Sequence, residues 1–371
     1  MIKLVDLNYH SHSKISNPAE VLEIQKASIG FVGFIKERLS IHLIKHMDFE
    51  GERNINGVRY SFFKSKNKFW YIPFKTHRFI KKQKPDIVLI QGLVFPLQLI
   101  ALRFQLGKRT KIIVQHHGEK PFTGIKKKFQ KIADRYVSFY LFTSVENAEG
   151  FKKSKIISGK NKCIEILEAS TFYMQSNKLE CRQELCLINR PIFLWVGRLN
   201  LNKDPFTVLN AFEKYLSFYP EARLFMIYQT EDLLQEIRKR LEESCLLKNS
   251  VILNGKVDHS ELENWFNAAD FYISASHKEG SGYALIEAMA CGCVPIVTSI
   301  PSFKKITANG KFGFLFEPGN PESLLKVLLN LKNIDKEEMS VSVANHFKQS
   351  LSFKSIADDL LKVCEKLLIN N

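Results

Sequence analysis

The sequence predicts an α/β protein of two doubly wound domains, and three observations carry that reading. Apolar strand-like runs alternate with helix-like segments almost from end to end, the pattern of parallel sheets covered by helices. The alternation is interrupted once and then restarts. The chain has 371 residues, about twice the length of a common domain.

The first half supplies the strand candidates Ile2–Leu7, Asp86–Gln91, Lys111–Gln115, Ser138–Phe142 and Lys162–Leu167, with helices such as Phe95–Leu106 and Ile125–Asp134 between them. Met1–Leu7 carries charge within a short apolar run, so it reads as a buried strand and lacks the long apolar region of a secretory signal. Ile87 to Leu102 is interrupted by Gln91, Gly92, Pro96 and Gln98. It falls short of the roughly 20 apolar residues that span a bilayer and reads as strand, turn and helix. Asn54-Ile55-Asn56-Gly57 marks a turn between two extended segments. Thr171–Arg190 loses the rhythm, and the strongly apolar Pro191–Val196 follows it. The expected division is an N-terminal Rossmann-like domain over 1–175, a C-terminal one over 185–350, and a C-terminal helix in 351–371 that packs back on the first.

The second half restarts with strand Ile192–Val196, helix Pro205–Phe218, strand Arg223–Tyr228, helix Asp232–Glu243 and strand Val251–Leu253. Helix Ser260–Ala268, strand Phe271–Ser274, helix Gly282–Ala290 and strand Val294–Thr298 come next, then helices from Pro321. Two such domains facing one another would hold a ligand in a cleft at the carboxyl ends of their strands. Chemistry is therefore sought in the loops that leave the strands.

One such loop is Trp195-Val196-Gly197-Arg198-Leu199-Asn200-Leu201-Asn202-Lys203-Asp204-Pro205. Gly197 lets backbone approach a ligand, Arg198 can fork onto phosphate oxygens, and Lys203 adds a point charge beside a helix N-terminus. A second loop runs from His277 through Glu279-Gly280-Ser281-Gly282 into a helix that carries Glu287. Gly280 and Gly282 bracket Ser281, so backbone N–H groups can face an anion. A carboxylate accepts two hydrogen bonds at once, which suits Glu287 to a ribose diol and Glu279 to sugar hydroxyls. In a third loop, Gln115-His116-His117-Gly118-Glu119, a strand delivers two histidines. His116 points to the opposite face of the extended chain and is expected in the core. Ser144 and Glu146, after the strand ending at Phe142, are weaker candidates. Each of these residues, taken alone, fits an ordinary solvated loop as well.

Together the first two loops resemble the retaining glycosyltransferases of family 4. There V-G-R-L followed by Lys is matched by Val196, Gly197, Arg198, Leu199 and Lys203, and E-G-F-G-L-P-x-x-E-A-M-A-C-G by Glu279, Gly280, Gly282 and Glu287 through Gly292. The resemblance implies the two-domain B-type glycosyltransferase fold and a nucleotide diphosphate sugar as donor. It assigns Gly197, Arg198, Lys203, Gly280, Ser281, Gly282 and Glu287 to donor binding and Glu279 and His117 to catalysis. It also implies retention of the anomeric configuration by a front-face route. Departures at Ser281, Tyr283 and Tyr228-Gln229 bear on donor preference. Ile164–Thr171 replaces the family's N-G-V-D ending, so the hinge is expected to differ from the common type.

No D-x-D sequence and no His/Cys/Asp/Glu cluster at metal-ligand spacing occurs, so no metal site and no cofactor are expected, and transfer is expected to be metal-independent. Seven cysteines without a C-x-x-C pair suit reduced, cytosolic thiols. Charge divides the chain: residues 1–180 hold 32 Lys and Arg against 15 Asp and Glu, the remainder 22 against 23. The basic half interleaves Tyr60, Phe62, Phe63, Phe69, Trp70, Tyr71, Phe74 and Phe79 with the cations of Arg59–Lys84. That composition leads to a cytoplasmic enzyme held peripherally on the anionic inner membrane face, with a glycan or lipid-linked acceptor in cell-surface polysaccharide or lipopolysaccharide biosynthesis. The same composition would fit core aromatics beneath a solvated basic face. A nucleotide-sugar 2-epimerase of the same fold is the alternative. A nucleic-acid binder is the more distant one, because the strongest motifs lie in the neutral half and no nucleic-acid partner is expected.

Overall fold

The computed structural model describes residues 1–66, 68–107, 109–159, 161–187 and 191–369. They form two units, Met1–Ser170 with Phe353–Asn371, and Thr171–Ser352. Each is a mostly parallel sheet covered by helices, the α/β class that the sequence predicts.

The N-terminal unit contains β1 (Lys3–His12), β2 (Ser40–Met47), β3 (Gly51–Ile55), β4 (Val58–Phe63), β5 (Ile87–Gln91), β6 (Lys111–Gln115), β7 (Phe139–Phe142) and β8 (Cys163–Glu165). Their order in the sheet is β3-β4-β2-β1-β5-β6-β7-β8. Among the described residues only β3 and β4 pair antiparallel, through the expected turn, where Asn56 and Gly57 both have positive φ (51° and 78°). Two consecutive left-handed residues match the twist of a two-residue hairpin. The chain lays β2 and β4 on one side of β1 and then returns to place β5 on the other. The sheet's switch point is thus the β1/β5 pair.

β2 has no counterpart among the expected strands. It holds His42, Lys45 and His46, all buried, so its hydropathy does not read as a strand. Each of the three side chains has one polar partner close by in the fold. His42 Nε2 meets Ser61 Oγ at 2.8 Å, His46 Nδ1 lies 2.8 Å from the Asn8 carbonyl, and Lys45 Nζ is 3.8 Å from Asp6 Oδ1.

Helix Phe353–Ile369 belongs to this unit. Its buried residues Phe353, Ile356, Ala357, Leu360, Val363, Cys364 and Leu367 recur every three or four positions and form one apolar stripe. The stripe joins the core that contains Val32, Ile35 and Leu43. An Arg38–Asp358 ion pair ties it to the chain before β2. None of the described helices is long and apolar enough to cross a membrane.

The C-terminal unit contains β9 (Ile192–Gly197), β10 (Arg223–Tyr228), β11 (Val251–Gly255), β12 (Phe271–Ser274), β13 (Val294–Thr298) and β14 (Phe314–Phe316) in the order β11-β10-β9-β12-β13-β14, every neighbouring pair parallel. Helices cover both faces, which is why these strands read as continuous apolar runs. Phe193, Trp195, Leu224, Met226, Ile273 and Ile296 are at most 1% exposed. The chain moves outward from β9 to β11, then crosses back to β12. Here the order reverses between β9 and β12, where an open α/β sheet binds its ligand.

Candidate active site

Both motif loops leave the strands that flank this reversal. Residues 198–204 follow β9 and residues 275–282 follow β12. Four contacts stitch them together. The His277 N–H donates to the Asn202 carbonyl (2.8 Å), Asn202 Nδ2 donates to the Lys278 carbonyl (3.0 Å), His277 Nε2 lies 3.0 Å from Asp204 Oδ2, and Lys203 Nζ donates to Glu279 Oε1 (2.6 Å). Two segments 76 positions apart thereby become one surface.

Asp204 sits in the left-handed region (φ 42°) and caps helix Pro205–Leu216, accepting from the Thr207 N–H and hydroxyl at 3.1 and 2.7 Å. This unusual conformation for a non-glycine residue turns the chain sharply and fixes Lys203 just before the helix. Gly197 leaves room for the lysine stem. A Cβ there would lie 3.2 Å from the Trp195 ring and 3.6 Å from Lys203 Cδ, so the lysine stem passes across it.

Arg198 is exposed and its guanidinium has no partner among the described residues. Gly280, Ser281 and Gly282 precede helix Tyr283–Ala290, and their N–H groups find no acceptor among the described residues. An unpaired guanidinium, a lysine and free N–H groups before a helix together favour an anion. Gly282 (φ 65°) sets the turn; a Cβ there would meet the Phe303 ring at 2.9 Å.

Glu287 lies in that helix and its Oε1 is 3.0 Å from His259 Nε2. Tyr173 Oη reaches His259 Nδ1 at 2.8 Å. His259 and Tyr173 carry no motif, and only their contacts link them to Glu287. Burial drives the Tyr272 phenol far above its usual range; a hydrogen bond from Ser274 opposes this, and the carboxylates of Glu279 and Glu287 add to it. The remainder of the motif is structural: Ala288, Met289, Ala290 and Cys291 are buried and Gly292 (φ 71°) ends the helix. Arg198, Lys203, Glu279, the glycine turn and Glu287 all lie at this one edge of the C-terminal sheet.

His117 lies in the N-terminal unit, two residues beyond β6. Its Nε2 is 2.8 Å from Gln91 Oε1, and Gln91 Nε2 in turn donates to Asp6 Oδ2 at 2.8 Å. Asp6 is fully buried, and a carboxylate only accepts. The amide nitrogen of Gln91 is thereby turned to Asp6 and its oxygen to His117, so His117 Nε2 carries a proton. Nδ1 forms an ion pair with Glu168 Oε2, a buried atom otherwise without a partner. Both ring nitrogens face acceptors, the arrangement that favours an imidazolium. Burial pulls the imidazole's affinity for protons down, but Glu168, with Glu119 and Asp6, more than offsets this and raises its pKa.

The neighbouring histidine is the opposite case. His116 Nδ1 accepts from the Gly118 N–H (3.3 Å) and its Nε2 faces the Glu119 carbonyl (3.1 Å), the partners of a neutral ring. It is buried against Phe142 and Phe151, and burial lowers its pKa. Glu119 braces both loops, taking the Leu93 N–H at 3.0 Å and the His117 N–H at 2.7 Å. Ser144 and Glu146 bond to each other. Glu168 lies in the segment that replaces N-G-V-D, where the sequence gives no sign of a link to His117.

The aromatic-rich basic segment divides. Tyr60, Phe62 and Phe63 are core residues of β4, and Phe79 packs on the core, so they form no interface. Only Arg59 of this strand is exposed; Ser61 is buried with the rings. Trp70 and Phe74 are 61% and 57% exposed. Among the described residues no group of three or more His, Cys, Asp or Glu is placed to hold a metal ion.

Residues 181–346 match the family model described as glycosyl transferases group 1. The poly(glycerol-phosphate) alpha-glucosyltransferase of Bacillus subtilis (strain 168) is 27% identical over 225 residues, covering 58% of this chain and 31% of that protein. The GDP-mannose:cellobiosyl-diphosphopolyprenol alpha-mannosyltransferase of Xanthomonas oryzae pv. oryzae is 29% identical over 123 residues, 33% of this chain and 32% of its own. The chain thus spans about a third of the length of these curated relatives. Among solved structures, a glycosyltransferase from Rickettsia africae superposes with a TM-score of 0.75 at 16% identity, over 100% of both chains. HepE of Anabaena in complex with UDP gives 0.74 at 14%, over 98% of this chain and 100% of that one. Residues 181–346 thus match the glycosyl transferases group 1 model, and the chain shares the B-type glycosyltransferase fold of these solved structures.

Proposed function

We propose that the protein transfers a sugar from a nucleotide diphosphate donor, held by the C-terminal unit, to a glycan or lipid-linked acceptor bound by the N-terminal unit. The observation that carries this reading is the stitched pair of loops at the switch point, where Arg198, Lys203 and unpaired N–H groups stand beside two carboxylates. Arg198, Lys203 and the Gly280–Gly282 turn bind the diphosphate over Gly197 and Ser281, and Glu287 binds the ribose. Glu279 orients the sugar. Lys203 rests on Glu279, so donor binding exchanges that pair for phosphate and frees the carboxylate for hydroxyls. The fixed cations stabilise the leaving diphosphate, the task a metal performs in other sites, and the transfer is metal-independent. The partners of His117 occupy both its ring nitrogens, so it acts by positive charge rather than as a base.

The relatives' names support a nucleotide-sugar donor, and the Xanthomonas protein is named for an acceptor on a diphosphopolyprenol. Retention of configuration, a role in cell-surface polysaccharide synthesis and a peripheral position on the inner membrane face complete the proposal. A thermal-shift screen over uridine, guanosine and adenosine diphosphates tests the donor site, since a ligand bound only by the folded state raises apparent stability. One of the three is expected to raise the midpoint in the parent and not in Arg198→Ala or Lys203→Ala. No shift with any of them in the parent would refute the reading. Anomeric analysis of the product then tests retention.

A further inference from the structure

The switch point of the N-terminal sheet carries a pocket of its own. It has a volume of about 290 Å³ and is built from residues after the ends of β4, β5 and β6 together with the last part of β1. The ends of β1 and β5 flank the reversal, the position at which an open α/β sheet receives ligands. The pocket has an aromatic and apolar floor of Tyr9, Phe69, Tyr71, Phe95 and Phe122. Gln98 lies against the loop after β4 and donates to the carbonyls of Phe69 and Tyr71 at 3.0 and 2.9 Å. Its own Oε1 is buried without a hydrogen bond.

Charge defines what fits. Lys66, Lys68 and Lys126 line the pocket, and no Asp or Glu does so among the described residues. Lys126 Nζ lies 4.9 Å from the Phe69 ring centre and 5.6 Å from that of Phe122, so the floor holds one ammonium in place. Lys66 and Lys68 have no side-chain partner among the described residues. Three cations around an apolar floor, with no carboxylate to pair them, are complementary to an anion that also has a ring or chain to cover aromatic faces. Size limits it further. Small-molecule pockets run from about 300 to 1,000 Å³, so this one suits a single phosphorylated group rather than a whole nucleotide sugar.

We propose that this pocket is a subsite for the phosphate ester of the acceptor, recognising a phosphate through Lys68 and Lys126 and the adjoining group through its aromatic floor. The inference rests on the transferase reading and gives its acceptor a chemical class. The ester could belong to a free sugar phosphate or to a lipid phosphate, and exposed Trp70, beside Phe69, would meet a bilayer in the second case.

The test compares the full chain, a Lys68→Glu/Lys126→Glu variant and a Lys152→Glu/Lys153→Glu control with the same change of charge at an exposed site. Three probes are used: glucose 1-phosphate, phosphatidylcholine vesicles with and without phosphatidic acid, and the nucleoside diphosphates of the donor screen. At least one phosphate ester is expected to bind the parent and the control within about twofold of each other, and the pocket variant about tenfold or more weakly. Binding of glucose 1-phosphate identifies a free sugar phosphate as the source. Binding confined to phosphatidic acid vesicles identifies a lipid phosphate. Equal loss in the pocket variant and the control would overturn the proposal, as would no binding of either ester. Nucleoside diphosphate binding separates the two readings. If it persists while both esters fail, only the subsite is wrong; if it is absent while an ester binds in the pocket, the subsite stands and the transferase reading falls.

Discussion

Replacing Glu168 by Gln keeps the shape of the group against His117 and removes its charge. A hydrogen bond to a charged group contributes about 1.5–3 kcal/mol and a neutral one about half that. The His117 side chain is 30% exposed, so solvent takes part of the difference and about 1 kcal/mol is expected at pH 6. For a unit of this size that is roughly 2–4 °C in the unfolding midpoint. The sign with pH follows from linkage. The folded-state pKa of His117 is raised, so its stabilisation is fully present below about 6.5, the unfolded value. It is lost as pH rises through the folded value. The parent's advantage over Glu168→Gln should therefore be largest near pH 6 and disappear toward pH 9. The direct assay is the titration of the His117 Cε1–H resonance by NMR, whose midpoint should fall in Glu168→Gln. An unchanged midpoint, or a stability gap that does not vary with pH, would refute the assignment of an imidazolium held by Glu168.

Other substitutions test the rest of the molecule. Gly282→Ala forces a side chain into the left-handed region and against Phe303; an expected loss of about 2–4 kcal/mol is measurable by urea denaturation, together with loss of nucleotide binding. Asp270→Asn breaks a buried group that accepts from Arg182 (2.8 Å), Lys178 (3.1 Å) and the Ile192 N–H (2.9 Å), and should cost about 3–5 kcal/mol in the same assay. Glu279→Gln should leave nucleoside diphosphate affinity within a few-fold of the parent while turnover of labelled donor falls at least about tenfold. His259→Ala, by releasing Glu287, should weaken nucleotide binding and leave the midpoint of the ligand-free protein nearly unchanged, as read by thermal shift.

Much of the fold is legible in the sequence because its strands are covered on both faces and are apolar throughout. Arg223–Tyr228, Phe271–Ser274, Val294–Thr298 and Lys111–Gln115 have the expected bounds. β2 escapes because it buries His42, Lys45 and His46, and their partners Ser61, Asp6 and Asn8 are set by pairing across the sheet rather than by neighbours in sequence. β14 escapes because three residues are too few for a period. At the candidate site, motif spacing points to Arg198, Lys203, Glu279 and Glu287, since two loops and one helix carry them, each within a short run of sequence. His259, Tyr173 and Glu168 stay hidden because each meets its partner only through the fold. The aromatic run after Arg59 divides for a reason the sequence does not carry: Tyr60, Phe62 and Phe63 lie in β4, buried except at Arg59, whereas Trp70 and Phe74 come after the strand and are exposed.

Helix Phe353–Ile369 makes the C-terminal unit an insertion within the other, so the chain crosses between them twice. At a synthesis rate of roughly 5–20 residues per second, the 182 residues of Thr171–Ser352 separate β8 from that helix by on the order of ten to forty seconds. Throughout that interval the place that Phe353 and Leu360 will fill is without them, while the younger half has its last strand once Phe316 is made. The order of maturation is therefore inverted with respect to the order of synthesis: the later-made half can close first, and the earlier-made half waits for its final turns.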